Sequence, residues 1–124
     1  MEGVMGNPMS RSIGYTLSGF GEKSASVATL RKTDVRPGDC VIIRTRNSVY
    51  ALRATDDGRF IVSGGWFDRK GKGGSRTGVT GCSLGGSIIK IDIIAAQGLC
   101  VEFANRLITS PVKSFVVFPR GWEN

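Results

Sequence analysis

The run Val41-Ile42-Ile43-Arg44-Thr45-Arg46-Asn47-Ser48-Val49-Tyr50-Ala51-Leu52-Arg53-Ala54 restricts the fold more than any other stretch. Strands in globular proteins are usually about 5–6 residues long, so a turn must fall inside it. Asn47-Ser48 is the expected position, because Asn tolerates the left-handed backbone of a two-residue hairpin loop. With that loop, Thr45 faces Tyr50, Ile43 faces Leu52 and Val41 faces Ala54 on one side. The opposite side gathers Ile42, Arg44, Arg46, Val49, Ala51 and Arg53. Side chains alternate with a period of two, so a one-residue slip would exchange the faces and bury the arginines. A hairpin with an aliphatic inner face and a cationic outer face is therefore expected.

The flanking sequence extends this hairpin. Arg36-Pro37-Gly38-Asp39 forms a tight turn that launches the first strand, since Pro fixes φ and Gly accepts positive φ. Before it, Thr33 or Asp34 caps a short turn. Asp56-Asp57-Gly58 makes the next reversal, a three-residue loop with Gly58 left-handed, which sets Phe60 opposite Ala54 and Val62 opposite Leu52. A three-stranded antiparallel meander over 41–64 follows.

Beyond it, residues 64–81 read as a long glycine-rich basic loop. The next strand is Ser87–Ile94, with Ile89, Ile91 and Ile93 inward and Lys90 and Asp92 outward. In Leu99–Phe103, Leu99, Val101 and Phe103 alternate with Cys100 and Glu102. Ala104-Asn105-Arg106 turns the chain into Leu107–Phe118, where Pro111 suits an edge strand or a bulge. Five to six short strands joined by turns predict an all-β fold, a small antiparallel barrel of the Sm-like or SH3-like kind. It occupies 27–124 as a single domain, after a loosely ordered segment over 1–26 with a short strand near Ile13–Leu17. Both faces of Val112–Phe118 are apolar, with Val116 and Phe118 on one and Phe115 and Val117 on the other. The face bearing Phe115 and Val117 is expected to be covered by another subunit, giving a homo-oligomer, with the N-terminal segment as the alternative cover.

Composition narrows the chemistry. The chain contains no histidine, which removes the usual general base and every Ser/His or Cys/His arrangement. Its three cysteines, Cys40, Cys82 and Cys100, lack CxxC spacing, so reduced thiols are expected and neither a metal site nor a cofactor. Gly71-Lys72 precedes Gly73 where a phosphate-binding P-loop needs Ser or Thr. Gly81-Cys82-Ser83-Leu84-Gly85 is only loosely like a nucleophile elbow, and Ser83 would lack a histidine. Acidic residues are scattered singly apart from Asp56-Asp57, which the turn explains. No enzyme is expected. No stretch is long and apolar enough to span a bilayer, and the N-terminus lacks a basic-then-apolar leader, so a cytoplasmic protein without membrane contact is expected.

What remains is positive charge. The net charge is +7, which favours acidic partners, RNA or another polyanion among them. Arg44, Arg46 and Arg53 on the hairpin, with Arg69, Lys70, Lys72 and Arg76 in the loop, can follow a phosphate backbone. Trp66 and Phe67 beside them can stack on bases. The competing arrangement has Trp66 and Phe67 closing the end of the barrel while the arginines pair with Asp92 and Glu102. A different class of function is a protein-interaction or assembly module that works through the apolar C-terminal strand.

The hairpin 41–54 also resembles the opening motif of the Sm fold, in which a strand ends in Asn-Gly and the next carries an early aromatic. Asn47-Ser48 and Tyr50 occupy those places, and the short capped segment before Arg36 takes that of the Sm N-terminal helix. The Asp-x-x-Asn by which Sm proteins contact RNA has no counterpart after Phe60, and no Arg-Gly pair ends the fourth strand. Over residues 36–116, the runs RTRNSVY, GGWF, GGSIIKI and ITSPVKSF resemble a family of small bacterial β-proteins of unknown function. That resemblance implies a bacterial β-protein and no particular activity.

Overall fold

The computed structural model describes residues 28–85 and 87–121, so the segment 1–26 and its short strand near Ile13–Leu17 lie outside the described residues. The hairpin forms from β2 (Cys40–Thr45) and β3 (Val49–Ala54), preceded by β1 (Thr29–Arg31) and a 3-10 turn over Lys32–Asp34. Asp34 caps that turn, its carboxylate accepting the Arg31 N–H at 2.8 Å. The faces fall as the alternation predicts. Val41, Ile43, Thr45, Tyr50, Leu52 and Ala54 are buried, while Arg44 and Arg53 are exposed.

The pairing differs by two residues. Ile43 lies opposite Tyr50 and Val41 opposite Leu52, so the loop is Arg46-Asn47 and not Asn47-Ser48. A two-residue shift preserves both faces, which is why the hairpin keeps its polarity. The cause of the shift is a hydroxyl network. The buried Thr45 Oγ1 accepts the Ser48 N–H at 3.1 Å and the Ser110 hydroxyl at 2.8 Å, and Ser110 Oγ in turn accepts the Asn47 N–H at 3.0 Å. Neither Arg46 nor Asn47 takes positive φ, so the local preference of Asn is not used.

The Asp56-Asp57-Gly58 turn forms as expected. Gly58 has φ +80°, Phe60 lies opposite Ala54, and Val62 lies opposite Leu52 in β4 (Phe60–Gly64). The stretch 64–81 is not a long loop. It holds a short helix α1 (Gly65–Arg69), β5 (Ser75–Thr77) paired with β4, and the start of β6 (Val79–Ser83). Gly64 and Gly65 explain the helix placement. Both have positive φ, a Cβ on Gly64 would overlap the Val49 carbonyl oxygen, and one on Gly65 would strike the Tyr50 ring. Only glycine lets the chain turn so close to β3.

The remaining strands are β7 (Ile89–Lys90), β8 (Ile93–Ala96), β9 (Cys100–Phe103) and β10 (Ile108–Phe118). Ser87–Ile94 is therefore not one strand. It turns at Ile91-Asp92, leaving Ile89 41% and Ile91 68% exposed, while Ile93 and Ile94 are buried. In β9, Val101 and Phe103 point inward as expected, and Cys100 is buried as well. Arg106, at φ 74°, closes the turn before β10.

Every pairing is antiparallel, so the protein is all-β as predicted, but its main sheet has the order β5-β4-β3-β2-β10-β9-β6-β7 and does not close into a five- or six-stranded barrel. A separate β1–β8 ribbon packs on β6, β9 and β10. The joint is β10, which at 11 residues is long enough to serve two neighbours in turn. Its first part pairs with β9 and its second with β2, and the register slips on both sides of the Pro111–Val112 junction. Pro111 thus marks an irregularity in a central strand, where a missing N–H costs no ladder bond if the pairing partner changes there.

Phe115 and Val117, the expected interface pair, are covered by the chain itself at 3% and 0% exposure. Their face packs on the β2–β3 core, and Val116 and Phe118 take the half-buried outer face. The core runs from Leu52, Val62 and Val117 to Val101, Ile94 and Leu30, all fully buried. Each such side chain contributes about 1.5–3 kcal/mol of burial energy.

Candidate nucleic-acid interface

The cationic residues of the meander are placed by strand register. Arg76 on β5 lies opposite Ile61, Ile61 opposite Arg53, Arg53 opposite Cys40, and Cys40 opposite Phe118. One row across five strands therefore carries Arg76 and Arg53, two strands or roughly 10 Å apart. Nearer the hairpin turn, Arg44 lies opposite both Val49 and Ser114 on the same face. Between them Ile42, Ala51, Ser63 and Val116 are half-buried. No carboxylate belongs to this face of β2, β3, β4, β5 or the second part of β10.

The turn and the helix add two more arginines at one end. The Arg46 N–H donates to the Pro111 carbonyl at 3.0 Å, which fixes the turn on β10 and leaves the side chain exposed. Arg69, at the end of α1, reaches back so that Nη1 donates to Ser48 Oγ at 3.4 Å. Arg69 is thus brought to the hairpin turn that carries Arg46, a juxtaposition no local pattern announces. Lys70 and Lys72 are exposed beyond the helix, and the Lys72 N–H donates to the Phe67 carbonyl at 2.6 Å.

The two aromatics divide. Phe67 is fully buried and cannot meet a base; its ring packs edge-on against Phe103 at 5.3 Å and Tyr50 at 6.3 Å. Such pairs contribute about 0.5–1.5 kcal/mol each beyond burial, so Phe67 is a core residue. Trp66 is half-buried, with its ring edge-on to Phe67 at 5.3 Å. The half-buried Phe118, in the Arg53 row, is an aromatic on this face, grouped in the sequence with Val116 opposite Phe115 and Val117.

The arginines do not pair with Asp92 or Glu102. Asp92 holds Arg31 at 2.6 Å, and Glu102 Oε2 is buried with no hydrogen-bond partner. Of the candidates, Arg76 forms an ion pair with a described residue, Asp57, at 3.8 Å. The Thr55 hydroxyl that donates to Asp57 holds this carboxyl below its ordinary value of 3.8, helped by the Arg59 N–H and Arg76. Asp57 is therefore ionised at neutral pH and offsets part of the charge on Arg76. Among the described residues no cluster of His, Cys, Asp or Glu could hold a metal ion, and no helix is long and apolar enough to cross a membrane.

Asp39 went unread in the sequence beyond its part in the turn. Its carboxylate is 1% exposed and accepts the Arg36 N–H and the Arg120 N–H, both at 3.0 Å. It ties the turn before β2 to the end of β10; the Pro-Gly-Asp spelling is a turn signal and says nothing of the distant partner. No family model, no curated protein and no solved structure matches the chain.

Proposed function

We propose that the outer face of the β5-β4-β3-β2-β10 half-sheet binds single-stranded nucleic acid, most naturally RNA. One observation carries this: Arg44, Arg53 and Arg76 stand on a single sheet face to which the strands contribute no carboxylate, Asp57 of the β3–β4 turn meeting Arg76 at its edge. Guanidinium groups at strand spacing neutralise successive phosphates, and the aromatic candidates for stacking are the half-buried Phe118 in the Arg53 row and Trp66 at the end of the half-sheet. Arg46 and Arg69 extend the cationic track past the hairpin turn, with Lys70 and Lys72 beyond the helix. An interaction module built on Phe115 and Val117 has no comparable support, because both side chains face the core.

The test is a titration of a fluorescein-labelled RNA oligonucleotide at several salt concentrations. Each phosphate contact adds about 0.7 to the slope of log affinity against log salt on a single strand. Replacing Arg44, Arg53 and Arg76 with Ala together is expected to flatten that slope by about 2 and to weaken binding to every sequence alike. Binding that is absent, or that ignores the three substitutions, rules this function out.

A further inference from the structure

On the far side of the meander from the arginine face, the chain encloses a cleft of about 340 Å³ between the 3-10 turn, the β3–β4 turn, β6 and β8. We infer that this cleft binds a small amphipathic anion, an aromatic or branched aliphatic body carrying one carboxylate, sulfonate or phosphate.

The floor dictates the body. Ala54, Phe60, Val79 and Ile94 line it, each no more than 9% exposed, and Val35 forms one wall. Thr55 is the one neutral polar side chain in the lining, and its hydroxyl is already engaged with Asp57 Oδ1 and the Arg59 carbonyl. No side-chain donor is left in the floor to recognise a polar body, whose desolvation would go uncompensated. The volume lies within the range of about 300–1,000 Å³ typical of small-molecule sites.

The rim dictates the charge. Lys32 enters from the 3-10 turn and Arg59 from the β3–β4 turn, against one carboxylate, Asp56. Lys32 Nζ makes a long contact of 3.4 Å with the Thr80 carbonyl, and the Arg59 guanidinium forms no ion pair with a described residue. Two cations from separate elements over an apolar floor suit an anion with its head at the mouth and its body inside. The site shares no cationic residue with the proposed nucleic-acid face, so either can exist without the other.

The probe is 8-anilinonaphthalene-1-sulfonate, with fluorescence as the readout and the uncharged N-phenyl-1-naphthylamine as its control. The expected result is saturable 1:1 binding of the sulfonate. Lys32→Ala with Arg59→Ala, both at exposed positions, should weaken it roughly tenfold. Val35→Trp should abolish it by filling the cleft, with a thermal melt confirming the fold. Ile91→Ser, which removes an exposed aliphatic side chain elsewhere, should leave it unchanged. The inference is overturned if binding does not saturate, survives both cleft variants, or falls with Ile91→Ser. It is equally overturned if the uncharged analogue binds as tightly and Lys32→Ala with Arg59→Ala has no effect.

Discussion

The meander 40–64 and the excursion 84–96 spell their strands alike, yet they treat their isoleucines in opposite ways. In the meander, alternation sorts each side chain correctly: Val41 and Ile43 enter the core and Arg44 stays outside. In the excursion, Ile89 and Ile91 alternate just as cleanly and both remain exposed, beside Leu84 and Ile88 at 56% each. The difference is neighbours. The meander's central strand has a partner on either side, so its backbone stays extended and period two holds. β7 is a two-residue end strand, and the chain turns at Ile91-Asp92 once the Asp92 carbonyl has accepted the Lys32 N–H and its carboxylate has met Arg31. A pattern of alternation assigns faces only while the ladder on both sides keeps the strand straight.

That contrast can be broken most directly by trimming one aliphatic side chain in each region. Leu52→Ala, at a fully buried site, should lower stability by about 2–5 kcal/mol in chemical denaturation. Ile91→Ala, at 68% exposure, should stay within about 0.5 kcal/mol of the parent protein. Equal losses would mean the excursion is packed in solution and the comparison fails.

Glycine provides a sharper version. Gly64→Ala, at the end of the meander, imposes positive φ on alanine and drives its Cβ into the Val49 carbonyl. The strained backbone alone costs about 1–3 kcal/mol, and the overlap adds to it. Gly85→Ala shares the positive φ but has open space around its Cβ, so only the backbone cost applies. A thermal melt in which Gly85→Ala is the more damaging would reverse the expected order.

The smallest effect separates the thiols. Burial pushes Cys82, on β6, up to about 12, whereas Cys40 lies half-buried on the meander's outer face. A thiol whose folded value is raised holds its proton more tightly in the native state. Its contribution is complete below the ordinary value of 9.0 and declines as pH rises from there towards 12. At pH 8, a disulfide reagent should therefore modify Cys40 well before Cys82. Rapid labelling of Cys82 in folded protein would show that β6 opens.

Much of the fold was legible because it rests on local rules. The Asp56-Asp57-Gly58 turn, the register it sets and the two hairpin faces all follow from glycine's φ and a period of two. The site was legible as a set of exposed arginines and illegible as an arrangement. Phe67 reads equally as a stacking aromatic beside basic residues or as a closing core residue, and the ring cluster with Tyr50 and Phe103 decides for the inside. Arg69 reaches Ser48 beside the hairpin turn, a contact between residues 21 positions apart. Phe115 and Val117 read as a spare apolar face because the kink at Pro111–Val112, where β10 changes partner, is set by β9 and β2.

By itself the sequence determined which side chains of the meander face water, since a two-residue period leaves just two choices and polarity decides between them. Where the hairpin turns, whether the sheet closes and which isoleucines are covered were decided by the tertiary structure. Each depends on groups far apart in the chain, Thr45 with Ser110, β10 with both β2 and β9, and Asp92 with Arg31, whose meeting no local energy term encodes.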